Sequence, residues 1–281
     1  MVDNKPFNDD GVKIMEKTYP FPVDPNEFFG KRVLITGGTK GLGAAMVQRF
    51  ALSGAKVALT ARSAVSTIPA SALFVPADVS TVEGVKTVAD HIQNEWGGLD
   101  ILVDNVGGSE HIPGGFESLS DEYWANSINQ NLMSAIRLDR TFIPGMIERK
   151  FGVVIHIGTI WHRLVQSDYS LAYSTVKDAL SSYSKGLANG VGQHGVRVNM
   201  VSPGFIETEA ATAFINYISE SQKVDADEAR QQLMARSGGI PLGRPGRPAE
   251  IAELVAFLAS DRGAFAHGVD YFLDGGCFRT L

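Results

Sequence analysis

A short apolar run, Arg32-Val33-Leu34-Ile35, gives way at Thr36 to a glycine-rich turn, Thr36-Gly37-Gly38-Thr39-Lys40-Gly41-Leu42-Gly43. Residues 44–52 then take up a helical period that Gly54 closes, and a second apolar run, Lys56-Val57-Ala58-Leu59-Thr60, follows at once. Strand, turn, helix and strand in so small a span make a βαβ unit, whose strands run parallel. A parallel sheet built this way must be covered on both faces. The rest of the chain repeats the alternation. Strand candidates lie at residues 73–77, 101–103, 152–157, 197–201 and 269–273, and helical stretches at 82–96, 123–142, around Tyr173 and at 251–259. The expected fold is therefore α/β and doubly wound (Rossmann-like), a mostly parallel sheet with helices on both faces, in a single domain. The 281 residues, 44% apolar and 20% charged, suffice for a substantial core. That domain spans residues 30–281, with a polar substrate-loop insertion at about 207–240. Residues 1–29, which hold Pro6, Pro20, Pro22 and Pro25, read as an irregular N-terminal arm.

Glycines between a strand and a helix let backbone amides approach a pyrophosphate, while the helix N-terminus supplies partial positive charge. The spacing here differs from the common G-x-G-x-x-G. A tight turn that merely needs glycine would use the same residues, but the strand before and the helix after favour the nucleotide. Where an NAD site places an acid at the end of the second strand, this chain reads Thr60-Ala61-Arg62. Arg62 and Lys40 are suited to flank a 2′-phosphate, which points to NADP(H); the alternative is a pair of solvated cations.

Tyr173-Ser174-Thr175-Val176-Lys177 places a phenol and an ammonium at i and i+4, on one helix face. Most such pairs are solvated surface. Next to a nucleotide signature, the ammonium is expected to lower the phenol from its usual pKa of about 10 and make it a proton donor or acceptor. Other chemistries lack their marks. The net charge of −6 argues against a broad nucleic-acid surface. No H-E-x-x-H or cysteine cluster offers a metal, no G-x-S-x-G elbow a hydrolase, and no G-x-x-x-x-G-K-[ST] a P-loop. One cysteine, Cys277, cannot form an intrachain disulfide. With no signal-like start and no apolar run of about 20 residues, a cytoplasmic protein is expected.

These residues together resemble the short-chain dehydrogenase/reductase family, from about Lys31 to the C-terminus. The glycine turn has the family's T-G-x-x-x-G-x-G form. Asp78-Val79 is similar to its adenine-contacting pair, Asp104-Asn105-Val106-Gly107 to its Asn-Asn-Ala-Gly, and Asn131 to its active-site helix asparagine. Tyr173 and Lys177 match its Y-x-x-x-K. Pro203-Gly204-Phe205-Ile206-Glu207-Thr208 resembles the segment that meets the nicotinamide, and Pro241-Leu242-Gly243-Arg244 and Asp274-Gly275-Gly276 its C-terminal signatures. The resemblance implies an NADP(H)-dependent oxidoreductase for a small carbonyl/alcohol substrate, forming a homodimer or homotetramer. Its catalytic residues would be Asn131, Thr159, Tyr173 and Lys177. Its cofactor contacts would be Gly37, Thr39, Lys40, Gly41, Leu42, Gly43, Arg62, Asp78, Val79, Asn105, Val106, Gly107, Tyr173, Lys177, Pro203, Gly204, Ile206 and Thr208.

Two departures stand out. The family's usual serine is replaced by Thr159 in Ile157-Gly158-Thr159-Ile160-Trp161-His162, one residue further from the tyrosine, with Ser167 in reserve. Asp104 stands in place of an asparagine, so changed hydrogen bonding at a strand end is expected. Arg163 could pair with a substrate carboxylate or be a surface cation. His162 lies with Arg163 in a loop expected to border the substrate, Trp161 and Tyr169 could wall the pocket or pack the loop, and His111 belongs to another rim loop. His156 reads as a buried strand residue. Two other functions share these motifs: a nucleotide-retaining dehydratase or epimerase, and a nucleotide-sensing regulator with a silent site.

Overall fold

The computed structural model describes residues 19–63, 68–109, 115–165, 170–236 and 238–279. Its sheet has seven strands: β1 (Arg32–Thr36), β2 (Lys56–Ala61), β3 (Leu73–Pro76), β4 (Ile101–Asp104), β5 (Gly152–Ile157), β6 (Val196–Pro203) and β7 (Asp270–Leu273). Their order is β3-β2-β1-β4-β5-β6-β7, and every pair is parallel. The helices are α1 (Gly41–Leu52), α2 (Val82–Trp96), α3 (Asp121–Ile128), α4 (Ser134–Glu148), α5 (Leu171–Val191), α6 (Glu209–Gln222), α7 (Ala226–Arg236) and α8 (Pro248–Ala259).

Strand periodicity divides the core into two layers. Val33, Ile35, Val57, Leu59, Val153 and Ile155 face α1 and α8, while Leu34, Ala58, Leu102, Val154 and Val198 face α2 and α4. Each such valine, leucine or isoleucine, fully buried, contributes roughly 1.5–3 kcal/mol. That is why these strands read as unbroken apolar runs instead of alternating ones.

The end of the N-terminal arm is anchored to the body. Phe28 is buried against Phe50 with ring centroids 4.8 Å apart, and Glu27 meets the buried Arg49 at 2.5 Å. Residues 1–18 lie outside the described residues.

Two readings from sequence need correction. The single helix at 123–142 is three pieces, because a π-helical turn, Asn129–Met133, lies between α3 and α4. The polar insertion is also ordered as two helices. Thr208 caps α6 by accepting from the Ala211 amide at 3.3 Å, and Ile215, Ile218 and Ala229 form a small core between α6 and α7.

Candidate active site

The chain leaves β1 toward β2 and β3, then returns to lay β4 on the other side of β1. Ligands gather at the crevice this reversal opens beyond the strand ends. Side chains hold the crevice in shape. The Thr36 hydroxyl accepts from the amides of Asn105 and Val106, both at 2.9 Å, and Asn105 Nδ2 donates to the Thr36 carbonyl at 2.8 Å. These bonds tie β4 to β1 below the glycine turn. A Cβ on Gly43 would lie 2.1 Å from the Gly37 carbonyl oxygen, so glycine is what lets α1 start this close to the strand. Gly37 also adopts φ +65°, which other residues resist.

A cavity of about 670 Å³ fills the crevice. Its wall includes Gly37, Thr39, Lys40, Leu42 and Gly43, then Arg62, then Asp78 and Val79, then Asn105, Val106 and Gly107; Tyr173 and Lys177 border it as well. Residues distant in sequence thus meet around one cavity. Lys40 and Arg62 are exposed beside Ala61, and neither is ion-paired among the described residues. At the start of α1, the Gly41 amide donates to the Glu209 carboxylate at 3.2 Å. A negative group therefore already rests at the helix N-terminus, where a pyrophosphate would be received.

Some expected cofactor contacts do not line the cavity. Gly41 and Thr208 face each other, with a Cβ on Gly41 lying 3.4 Å from the Thr208 methyl. Gly204 packs on Asp274, immediately after Pro203 at the end of β6, and Ile206 pairs with Gly246. These residues begin the α6 segment and flank the site from that side.

At the reacting end, Thr159 lies two residues past the end of β5, and Tyr173 and Lys177 lie on α5. The Tyr173 phenol hydrogen-bonds with the Thr159 hydroxyl, and that hydroxyl also accepts from the Trp161 amide at 3.3 Å. Burial pushes the phenol up to about 12, against the pull of the Thr159 contact. This corrects the expectation that Lys177 would lower it. The Lys177 ammonium instead donates to the Ile157 carbonyl at 2.8 Å, and the phenol is set by its burial and the Thr159 contact. Burial also draws Lys177 down to about 8, with Asp104 opposing. Gly107 sits between Lys177 and Asn131, since a Cβ there would lie 3.0 Å from Lys177 Nζ and 2.9 Å from Asn131 Oδ1. Asn131 is buried in the π-helical turn, a feature that often marks functional sites. Its amide is taken up by the Gly108 backbone, accepting at 2.9 Å and donating at 3.0 Å. The side chain therefore shapes the Gly107–Gly108 segment.

Around this centre, Arg163 pairs with Asp178 at 3.4 Å. His162 is buried, and its Nδ1–H donates to the Thr159 carbonyl. Ser167, Tyr169 and His111 lie outside the described residues. The sequence reading missed Tyr123, Asn126, Ser127 and Gln130, which line the cavity from α3 and the π-helical turn. It also missed the buried Asp139 of α4, for which a lone acid on an apolar helix face, among Ala135, Leu138 and Phe142, was the available signal.

Comparison with known proteins agrees with this geometry. The family model described as enoyl-(acyl carrier protein) reductase matches residues 37–277. The 3-oxoacyl-[acyl-carrier-protein] reductase of Escherichia coli is 33% identical over 259 residues, covering 90% of this chain and 99% of that protein. Its counterpart from Pseudomonas aeruginosa is 31% identical over 260 residues, covering 89% and 98%. Among solved structures, L-sorbose reductase from Gluconobacter frateurii, complexed with NADPH and L-sorbose, superposes with a TM-score of 0.83 at 31% identity, covering 92% of this chain and all of that one. Aldohexose dehydrogenase from Thermoplasma acidophilum gives 0.79 at 28% identity, covering 90% and 95%.

Proposed function

Because the chain belongs to the short-chain dehydrogenase/reductase family, we infer that it is an NADP(H)-dependent oxidoreductase interconverting a carbonyl and a secondary alcohol. The observation that carries the reading is the meeting of Tyr173, Thr159 and Lys177 at a crevice that the glycine turn also lines. The residues present fit the cofactor. The α1 N-terminus with Gly37 and Thr39 would receive the pyrophosphate, Lys40 and Arg62 the 2′-phosphate, and Asp78 with Val79 the adenine. Asn105, Val106 and Gly107 would line the middle of the path. Pro203, Gly204, Ile206 and Thr208 would close on the nicotinamide end from α6. NADPH, when bound, supplies the hydride.

The chain's own groups handle the proton. With its phenol near 12, Tyr173 holds its proton at neutral pH and is placed to give it to a substrate oxygen that gains negative charge. The Thr159 hydroxyl adds a second donor to that oxygen. Below about pH 8 Lys177 carries an ammonium, which would stabilise the phenolate left behind and would hold the nicotinamide ribose. Asn131 acts by holding Gly107 and Gly108 against Lys177. A phenol and a hydroxyl converging on one oxygen suit a carbonyl. Neither a dehydratase or epimerase nor a silent regulator draws support from the relatives.

The assembly is proposed to be a homodimer or homotetramer. Phe257 on α8, and Phe265, Val269 and Phe272 at the β7 edge, are exposed apolar groups that a second copy would cover. No helix among the described residues is long and apolar enough to cross a membrane, and a cytoplasmic site of action is proposed. The test is cofactor choice. The parent should show kcat/KM at least tenfold higher with NADPH than with NADH, and Ala61→Asp with Arg62→Ser should reverse the preference. Equal kcat/KM for both cofactors in the parent would refute the 2′-phosphate reading.

A further inference from the structure

The proposed reaction leaves a buried polar cluster unused. Asp104, the last residue of β4, stands opposite His156 of β5 in the strand register. The His156 ring is wholly buried. Its Nε2–H donates to Asp139 of α4 at 3.0 Å, and its Nδ1 meets the Ser184 hydroxyl of α5 at 2.9 Å. Asp104 Oδ2 lies 3.7 Å from the same Nε2, beyond hydrogen-bond reach. Neither oxygen of Asp104 has a hydrogen-bond partner among the described residues, although the residue is only 4% exposed. Lys177 donates to the carbonyl of Ile157, the residue after His156, so its charge lies next to this cluster.

The groups packed around Asp104 come from three elements. They are Asp139 on α4, His156 on β5, and Lys177 and Tyr183 on α5; Tyr183 hydrogen-bonds Asp139 and has Arg140 nearby. Two carboxylates this close in a dry interior do not both ionise without a compensating charge. Asp139 accepts from the His156 N–H. Asp104 has only the field of Lys177, and burial, reinforced by Asp139, pushes its carboxyl well above the usual range.

We propose that Asp104 is a positioning residue for the reaction, a titratable group in the place of an asparagine whose charge sets the pH range over which Lys177 stays an ammonium. The inference rests on the reading of Lys177 as a cofactor-binding and catalytic group. The sign follows from the charges. As pH rises, Asp104 gives up its proton, and the resulting anion favours the ammonium next to it. Lys177 then remains charged to higher pH than its burial alone would permit. An asparagine at 104 cannot do this.

The test compares the parent with Asp104→Asn and Asp139→Asn, following NADPH affinity by fluorescence titration and kcat for carbonyl reduction over about pH 6–10. In the parent, both should fall on an alkaline limb as Lys177 is deprotonated. In Asp104→Asn that limb should move to lower pH by about one unit, the shift expected for loss of an opposite charge nearby. In Asp139→Asn it should stay or move up, because Asp104 then ionises more readily. A limb in Asp104→Asn that coincides with the parent's overturns the inference. Should Asp104→Asn not fold, infrared spectra of the parent decide. A buried protonated carboxyl band must disappear with rising pH ahead of the limb, and its absence overturns the inference equally. If the parent shows no alkaline limb and Lys177→Met binds NADPH as the parent does, the reading of Lys177 fails and this inference falls with it. A limb present in the parent and unmoved in Asp104→Asn sinks this inference alone.

Discussion

Replacing Thr159 with valine keeps the side-chain shape and deletes one hydroxyl. Two interactions depend on it. The first is structural, since Thr159 accepts from the Trp161 amide at 3.3 Å and so caps the turn Ile160–His162. A lost cap of this kind costs about 0.5–2 kcal/mol, and the long bond places Thr159 toward the lower end. For a domain of this size, about 1 kcal/mol lowers Tm by only about 2–4 °C. The second is chemical. Loss of one donor to a charge-accumulating oxygen lowers kcat by roughly 10²–10³, or about 2.7–4 kcal/mol. The chemical loss exceeds the structural one severalfold, so the variant should melt nearly like the parent while turning over hundreds of times more slowly. Thr159 also pulls the Tyr173 phenol down against burial. Without it the phenolate forms less readily, and alcohol oxidation, which needs the phenolate, should shift to higher pH and suffer more than reduction. Initial rates with NADPH and a carbonyl substrate, beside a thermal melt, measure both effects. Thr159→Ser, which keeps the hydroxyl, should retain activity and accept bulkier substrates. Thr159→Val with kcat within tenfold of the parent would refute the assignment. If Ser167→Ala were then crippling, the donor would be Ser167.

Tyr173→Phe should abolish turnover while leaving NADPH affinity within a few-fold, whereas Lys177→Met should damage both; steady-state rates and a binding titration separate the two. Since burial draws Lys177 down to about 8, kcat for reduction should be steady below that pH and fall as pH rises through it, a profile measured in the parent at saturating NADPH. Gly43→Ala should weaken NADPH binding and lower Tm, because its Cβ would lie 2.1 Å from the Gly37 carbonyl oxygen. Gly186→Ala, with nothing within 4 Å of the new Cβ inside the helix Leu171–Val191, should instead raise stability by about 0.5–1 kcal/mol.

The strands and their parallel pairing were legible in the sequence because each apolar run sits between a helix and a turn. The helix Val82–Trp96 and the strand Gly152–Ile157 match their patterns end to end. The lining of the crevice was legible for a similar reason. Glycine turn, Asp78-Val79 and Asn105-Val106-Gly107 are short local segments at strand ends, and a parallel sheet brings all its strand ends to one edge. The π-helical turn was not legible, since its residues have the same composition as the helices on either side. Nor was the order within the 207–240 insertion, whose apolar contacts join α6 to α7 across a sequence gap that no local period reveals.

Sequence alone therefore determined the fold class, the nucleotide crevice and the pairing of Tyr173 with Lys177, because each depends on neighbours in the chain or on a periodicity a few residues long. What Tyr173 and Lys177 are worth as acids was decided only by the tertiary structure. A motif reports that an ammonium lies four residues from a phenol, but not that both are buried, that the ammonium is bound to the Ile157 carbonyl, or that Asp104, Asp139 and His156 meet close by. Proton affinity depends on how much water is excluded and which charges converge, and those are set by segments far apart in sequence.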